Sequence, residues 1–217
     1  MKVKAVIWDL DGTLLDTLSD LVVSVNAALE KNGLPTHTRE EIGEMVRRGM
    51  RNLVRRATPD GEENPRFEQV YADFLAHNAE HGTDLLAPYE GICALLDELN
   101  ARGVAQAIVS NKEEDTLKDM NLAYLGDRIG VVIGDKPPRP KKPSPEGVFE
   151  AMRLLGVRKD EAIYVGDAQV DIHTAQNAGI PCVSVTWGFR TEASLREAGA
   201  QLIAGTTQEL LAWIEAI

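Results

Sequence analysis

The sequence is poor in cysteine and in aromatic side chains. Its 217 residues include two cysteines, Cys93 and Cys182, and 5% aromatic residues. Neither cysteine belongs to a C-x-x-C pair, so the pattern excludes a disulfide framework and favours two reduced thiols in a protein core. Because aromatic residues are scarce, we expect that core to be mainly aliphatic.

Basic residues are also under-represented, and long apolar runs are missing. The chain has 34 acidic against 23 basic residues, a net charge of −11. This charge repels nucleic acid and anionic membranes, so we predict neither as a partner. No apolar run approaches the roughly 20 residues that span a bilayer, and the run 3–8 is too short for a signal peptide. We predict a cytoplasmic globular protein, a monomer or a homodimer.

Short β-branched segments and helical segments alternate along much of the chain. The segments 3–9, 104–110, 130–134, 162–167 and 181–186 are typical of buried parallel strands. Helical patterns lie between most of them. This alternation predicts an α/β fold with a doubly wound, Rossmann-like parallel sheet.

The stretch 16–82 interrupts this alternation, because it has helical patterns and no convincing strand. Thr38 and Glu41 within it have the spacing of a capping box. A βα loop usually has about 2–6 residues, so the stretch predicts an all-helical cap domain, 16–82, inserted into a core domain, 1–15 and 83–217. Asp16 is expected at the boundary.

Polar and charged residues follow the predicted strands, at the edge where parallel sheets bind ligands. They are Asp9, Asp11, Thr13, Ser110, Asn111, Lys112, Lys141, Lys142, Asp167 and Asp171. Three converging carboxylates, Asp9, Asp167 and Asp171, could not all stay ionised without a cation. Oxygen ligands of this kind favour Mg²⁺ bound together with a phosphate group, and Lys141 or Lys142 would offset further negative charge.

Asp9 and Asp11 are two residues apart at a strand end, so their side chains are expected on the same side. One carboxylate could attack phosphorus as a covalent nucleophile, while the other protonates the leaving oxygen and later deprotonates water. Gly12 permits a sharp turn and the close approach of a ligand. The Ser110 hydroxyl and nearby backbone N–H groups could hold phosphate oxygens.

Four segments, "DLDGTLLDT", "SNK", "KPSP" and "VGDAQVD", resemble in this order the signature motifs of the haloacid dehalogenase superfamily of phosphatases. The resemblance covers essentially the whole chain, and the helical insert is similar to the first cap type of that superfamily. The layout, with "APYEGICALLDELNARG" and "VTWGFR", looks most like the phosphoglycolate phosphatase branch.

The resemblance implies a metal site made by Asp9, Asp11, Asp167 and Asp171. Asp9 would be the nucleophile and a Mg²⁺ ligand, and Asp11 the general acid and base with its backbone carbonyl on the metal. Asp167 would ligate Mg²⁺ and Asp171 would support it. Since the dehalogenase branch lacks the acid at position 11, phosphate chemistry is favoured over carbon–halogen cleavage.

The resemblance also implies a phosphate site. Gly12 and Thr13 would belong to the phosphate loop, Ser110 would bind a phosphate oxygen, and Asn111 would lie beside it. Lys142, which directly precedes a proline, would neutralise Asp9 and the phosphate; the preceding lysine is ranked second.

The segment 45–56 contains five arginines in an otherwise acidic chain. Helical spacing places Arg47, Arg51 and Arg55 on one face. Most of these arginines are expected to be solvated and paired with nearby acids, namely Glu40, Glu41 and Glu44. One of them, Arg47 or Arg48, is expected to clamp a second anionic group of the substrate.

Taken together, the residues and the resemblance predict a Mg²⁺-dependent phosphatase. Its substrate would be a small phosphorylated metabolite similar to 2-phosphoglycolate, hydrolysed through an aspartyl-phosphate. A sugar-phosphate mutase is the main alternative, since it shares this fold, cap and intermediate. A pyrophosphatase and a non-catalytic phospho-acceptor protein remain as lesser alternatives.

Overall fold

The computed structural model of the protein describes residues 3–46 and 49–217. Six parallel strands form one sheet in the order β3-β2-β1-β4-β5-β6. The strands are β1 Ala5–Trp8, β2 Ala105–Glu113, β3 Val131–Asp135, β4 Ala162–Gly166, β5 Cys182–Val185 and β6 Leu202–Ala204. The prediction of a doubly wound parallel sheet is confirmed, although the three-residue β6 was not predicted.

Ten α-helices lie within the described ranges, and none of them is long and apolar enough to cross a membrane. They are α1 Leu18–Lys31, α2 Arg39–Met45, α3 Met50–Ala57, α4 Phe67–His81, α5 Ile92–Ala101, α6 Glu114–Met120, α7 Glu146–Leu155, α8 Gln169–Ala178, α9 Glu192–Glu197 and α10 Thr207–Ala216. Short 3₁₀ turns occupy Gly61–Glu63 and Lys159–Glu161, and a π turn occupies Asn121–Leu125.

Strand β1 is buried on both faces of the sheet. Val6 and Trp8 belong to one hydrophobic layer, while Ala5 and Ile7 belong to the other. Because neither face meets water, the strand is continuously apolar and does not alternate with polar residues. Toward the carboxyl end of the strand, the first charged side chain is therefore Asp9, directly after Trp8.

The strand order changes direction at β1. The chain builds β2 and β3 on one side of β1, then returns to place β4, β5 and β6 on the other. Open parallel sheets bind ligands in the crevice at such a switch point, beyond the carboxyl ends of the strands. This topology brings the segment after β1 next to the segment after β4.

Helices α1 to α4 follow β1 and enclose a hydrophobic cluster of their own. Its buried members are Leu18, Val25, Ala28, Leu29, Ile42, Leu53, Val54, Ala57, Phe67, Val70 and Phe74. The predicted capping box at the start of α2 is confirmed, since Thr38 accepts from the Glu41 N–H and Glu41 accepts from the Thr38 N–H. A separate core is what a helical insert needs for its stability.

Two connecting segments join these helices to the sheet, and they are hydrogen bonded to each other. The Asp16 N–H donates to Ala87 O at 2.8 Å, and the Tyr89 N–H donates to Leu14 O at 3.1 Å. Asp16 also accepts from the Ser19 N–H and pairs with Arg39 at 2.9 Å. Asp16 thus holds the start of α1; the boundaries at 15/16 and 82/83 stay a prediction.

The pairing expected for the cap arginines is wrong at Arg51. Its guanidinium pairs with Glu62 at 3.1 Å and Glu68 at 2.6 Å, and it lies over the ring of Phe67. Helix α3 turns this side chain toward α4 and the 3₁₀ turn before it, away from the acids of α2. The predicted substrate-binding residues Arg47 and Arg48 lie outside the described residues.

Candidate active site

Three buried carboxylates converge at the switch point of the sheet. Asp9 follows β1, Asp167 follows β4, and Asp171 lies in the first turn of α8. One ligand oxygen from each lies within 4.8 Å of the others, and the side chains are nearly or fully buried. The structure therefore brings together three of the four residues that the sequence predicts as a metal site.

A buried lysine, Lys142, meets this cluster. Lys142 Nζ lies 2.9 Å from Asp9 Oδ1 and 2.7 Å from Asp171 Oδ1. The preceding Lys141 turns away and pairs with Asp135 at 2.7 Å. Of the two lysines that the residues allowed, Lys142 is thus the one in contact with the carboxylates.

Asn111 holds the backbone of Lys142. Its Oδ1 accepts from the Lys142 N–H at 2.7 Å, and its Nδ2 donates to Lys142 O at 3.1 Å. The sequence predicted that this amide lies beside the phosphate. In the structure both of its functional groups bind the chain at Lys142, so Asn111 positions the lysine.

The charges of the cluster do not balance. Burial raises the pKa of Asp167 to about 8, helped by repulsion from Asp171 and Asp9. Burial also raises the pKa of Asp171 to about 6, although Lys142 opposes the shift. Burial would lower the pKa of Lys142, but Asp171 and Asp9 outweigh it and raise that pKa. When all three carboxylates are ionised, the single ammonium group of Lys142 leaves an excess of buried negative charge, which is why protons are held more tightly there.

A divalent cation fits this excess. Within the described part of the chain, Asp9 Oδ1 is a buried oxygen that accepts no hydrogen bond, although Lys142 Nζ lies 2.9 Å away as an ion-pair partner. A buried, unpaired carboxylate oxygen costs free energy unless a proton or a cation satisfies it. An all-oxygen donor set suits Mg²⁺, so Asp9, Asp167 and Asp171 are a suitable site for that ion.

The turn after β1 packs tightly against Asp167. Gly12 has φ of +83°, and a Cβ placed there would lie 2.4 Å from Asp167 Oδ2. The buried Thr13 hydroxyl donates to Asp167 Oδ1 at 3.2 Å. Both residues were predicted in the phosphate loop, and the structure places them against the carboxylate of Asp167.

Asp11 lies in a different environment from Asp9. Its side chain is 27% exposed and pairs with Lys112, whose Nζ lies 3.0 and 3.3 Å from the two carboxylate oxygens. The side chain of Asp9 is 10% exposed. Two neighbouring carboxylates in unlike surroundings can take unlike roles, as nucleophile and as general acid.

Two contacts at the site were not predicted from the sequence. Strand β2 continues to Glu113, and this extension places Lys112 next to Asp11. Strand β4 contributes Tyr164, whose hydroxyl meets Lys142 Nζ at 3.1 Å. A tyrosine inside the apolar run "AIYVG" is typical of a core residue, so its polar contact carried no sequence signal.

The segment after β5 links the carboxylate cluster to the helical insert. The Phe189 N–H donates to Asp167 Oδ2 at 2.7 Å. The next residue, Arg190, donates to Gly43 O and to Val46 O, the latter at 2.7 Å. The carboxyl end of α2, just before positions 47 and 48, is therefore held close to the carboxylate site.

The chain is similar to a large protein family over most of its length. The model of the haloacid dehalogenase-like hydrolases matches residues 6–185. A phosphoglycolate phosphatase of Rhodobacter capsulatus is 37% identical over 190 residues, which are 86% of this chain and 85% of the relative. A phosphoglycolate phosphatase of Xanthomonas campestris pv. campestris is 35% identical with the same coverage.

Solved structures show the same fold. A protein of Lactobacillus delbrueckii subsp. bulgaricus, provisionally assigned as a phosphoglycolate phosphatase, has a TM-score of 0.81 and 30% identity over 99% of both chains. A haloacid dehalogenase-like family protein of Streptococcus pneumoniae has a TM-score of 0.75 and 21% identity over 98% of both chains, a likeness of fold alone.

Proposed function

The chain belongs to the haloacid dehalogenase-like hydrolases and is a phosphatase, and we propose that it hydrolyses a small phosphate monoester through an aspartyl-phosphate on Asp9. The observation that carries this proposal is the buried cluster of Asp9, Asp167 and Asp171 around Lys142. Phosphoryl transfer of this kind requires a nucleophile, an ammonium group that offsets charge, and a cation site. All three lie at the same edge of the sheet, beyond the carboxyl ends of the strands.

In the first step, a carboxylate oxygen of Asp9 attacks phosphorus. The bond from phosphorus to the ester oxygen breaks, and Asp11 donates a proton to that oxygen so that the alcohol leaves. The products are the alcohol, an aspartyl-phosphate on Asp9 and ionised Asp11. The partly exposed position of Asp11 suits contact with a leaving group that must depart.

In the second step, Asp11 takes a proton from a water molecule, and the resulting hydroxide attacks the phosphorus of the aspartyl-phosphate. The bond between phosphorus and the Asp9 oxygen breaks, which releases inorganic phosphate and restores both carboxyl groups. General acid and base catalysis of this kind contributes typically about 10²- to 10⁴-fold to the rate.

We propose that Asp9, Asp167 and Asp171 hold Mg²⁺, with Asp11 contributing through its backbone carbonyl. When bound, the ion supplies positive charge that offsets the phosphate and the carboxylates. Lys142 adds its ammonium charge next to Asp9 from the protein side. Ser110 lies in the neighbouring strand β2, directly before Asn111 and Lys112, and we propose that its hydroxyl holds a phosphate oxygen.

The proposed substrate is 2-phosphoglycolate or a similar small anionic ester. Two relatives that cover most of the chain bear the name phosphoglycolate phosphatase. The helical insert 16–82 would act as a cap that excludes bulk water during the reaction. Arg47 or Arg48, next to the α2 end that Arg190 holds, would bind the second anionic group.

The test is release of inorganic phosphate from 2-phosphoglycolate with Mg²⁺. Asp9→Asn should lower the rate by at least about 10³-fold, because an amide oxygen is a poor nucleophile for phosphorus. The exposed Asp119 in α6 offers a matched control, and Asp119→Asn should keep wild-type activity. Mg²⁺-dependent hydrolysis by the Asp9→Asn variant would refute the assignment.

The same assay separates the alternatives. A mutase would interconvert hexose phosphates and release little inorganic phosphate, whereas a pyrophosphatase would prefer pyrophosphate. A phospho-acceptor protein would accumulate a long-lived aspartyl-phosphate without turnover. We expect phosphate release from the monoester to exceed each of these activities.

A further inference from the structure

We propose that Tyr164 is a positioning residue, whose hydroxyl fixes the ammonium group of Lys142 between Asp9 and Asp171. Tyr164 is completely buried in β4 and touches no solvent. Its hydroxyl lies where three segments of the site meet: the middle of β2 at Val109, the loop that carries Lys142, and the start of α8. The activity arm of the test below rests on the proposed function.

The hydrogen bonds of this hydroxyl can be assigned. Its one proton has a carbonyl acceptor, Val109 O, at 2.8 Å, whereas Asp171 Oδ1 is farther away at 3.3 Å. With the proton directed to Val109, a lone pair of the oxygen faces Lys142 Nζ at 3.1 Å. The tyrosine therefore acts as a donor to the β2 backbone and as an acceptor for the lysine.

The three N–H groups of Lys142 then have three neighbours. Asp171 Oδ1 at 2.7 Å and the Tyr164 hydroxyl at 3.1 Å accept hydrogen bonds, and Asp9 Oδ1 lies 2.9 Å away. Two directed bonds fix the rotation of the ammonium group and leave its third N–H on the side of Asp9. The position of positive charge next to the proposed nucleophile thus depends on a neutral acceptor.

A neutral hydroxyl suits this position next to Lys142 better than a further carboxylate would. Another buried acid would add to the excess negative charge and would compete with Asp9 for the lysine. The hydroxyl holds Lys142 without changing the charge of the site. It also donates a hydrogen bond to the carbonyl of Val109, the residue before Ser110. The same hydroxyl therefore helps to position both Lys142 and Ser110 of the proposed phosphate site.

The aromatic ring has a separate role. It packs in the hydrophobic layer that contains Ile7, Val109 and Val148. Tyr164→Phe keeps this packing and removes the hydroxyl alone, which leaves Val109 O and one Lys142 N–H without their bond. Tyr124→Phe is a matched control, because Tyr124 is a partly buried tyrosine that packs against the other core layer.

The first measurement is steady-state hydrolysis of 2-phosphoglycolate. Tyr164→Phe should lower kcat by about 10- to 100-fold, since small displacements of a catalytic group have effects of that order. KM should change by less than about 3-fold, because the hydroxyl binds the lysine and not the ester. Tyr124→Phe should match the wild type. A kcat of Tyr164→Phe within about 2-fold of wild type would overturn the proposal.

The second measurement does not need turnover. A ¹H–¹⁵N spectrum selective for lysine ammonium groups should show a protected signal from the buried Lys142, identified by its loss in Lys142→Arg. Tyr164→Phe should shift or broaden this signal, and Tyr124→Phe should leave it in place. An unchanged signal would refute the positioning role, while a wild type that hydrolyses no ester would refute the proposed function alone.

Discussion

The metal-free protein is expected to lose stability as the pH rises from about 5.5 to about 7.5. The reason is Asp167, whose pKa is raised from the ordinary 3.8 to about 8, by burial first and then by repulsion from Asp171 and Asp9. Over this pH range the folded protein keeps a proton on Asp167. The unfolded chain releases that proton, because nothing raises the pKa there.

The sign and the size follow from proton linkage. The unfolded state binds one proton fewer, so the free energy of unfolding falls with pH by up to about 1.4 kcal/mol per pH unit. Two units give a loss of about 2–3 kcal/mol. Asp171, with a pKa of about 6, adds to the loss only at the lower end. The stabilising contribution is present below pH 3.8 and is lost completely once the pH exceeds about 8.

Urea unfolding at a series of pH values, with a chelator present, measures this slope. Asp167→Asn is the matched variant, because it removes the titrating group and nearly keeps the shape of the side chain. Its amide oxygen can accept from the Phe189 N–H, and its amide nitrogen can then donate to the Thr13 hydroxyl oxygen. In this variant the free energy of unfolding should fall less steeply with pH, by about 1.4 kcal/mol per pH unit, which corresponds to one proton. Saturating Mg²⁺ should also abolish the wild-type decline, since a cation then takes the place of the proton.

The test is the difference between the wild type and Asp167→Asn in the pH dependence of their free energies of unfolding. Ordinary carboxylates are already ionised above about pH 5.5, and the histidines are common to both chains. If the wild type and Asp167→Asn show the same slope without metal, then Asp167 does not carry a raised pKa and the reasoning is wrong.

Two further substitutions test the packing around Asp167 and the link to the helical insert. Gly12→Ala should cost about 2–4 kcal/mol and weaken Mg²⁺ binding in calorimetry, because its Cβ would lie 2.4 Å from Asp167 Oδ2 at a φ of +83°; wild-type values for both quantities would contradict this. Arg190→Ala removes the bonds to Gly43 O and Val46 O, and we expect KM to rise about 5- to 20-fold because the α2 end is released. The exposed Arg196→Ala in α9 is the control, and equal KM values for the two variants would exclude a role for Arg190 in holding that end.

Much of the fold follows from local pattern. The strand β1 is apolar on both faces because the sheet is covered on both, and that covering is visible as a continuous apolar run. The capping box of Thr38 and Glu41 was predictable because both partners lie within one helical turn. Strand β6 was missed because three residues are too few for a period to show.

The candidate site, too, could be predicted from the sequence in part. Asp9, Asp167 and Asp171 could be grouped from the sequence, because each follows a predicted strand or opens the next helix. The partners of Arg51 could not be predicted, since the choice between acids of α2 and α4 depends on how the helices pack.

The sequence by itself determined the parallel sheet, the helical insert and the acidic strand tips, since each is written in neighbouring residues. The tertiary structure decided which side chains meet. Lys141 and Lys142 carry the same charge, and the path of their loop directs one to Asp135 and the other to Asp9. The Tyr164 hydroxyl meets a carbonyl 55 residues away in sequence, a contact that exists only because β2 and β4 flank β1 in one sheet.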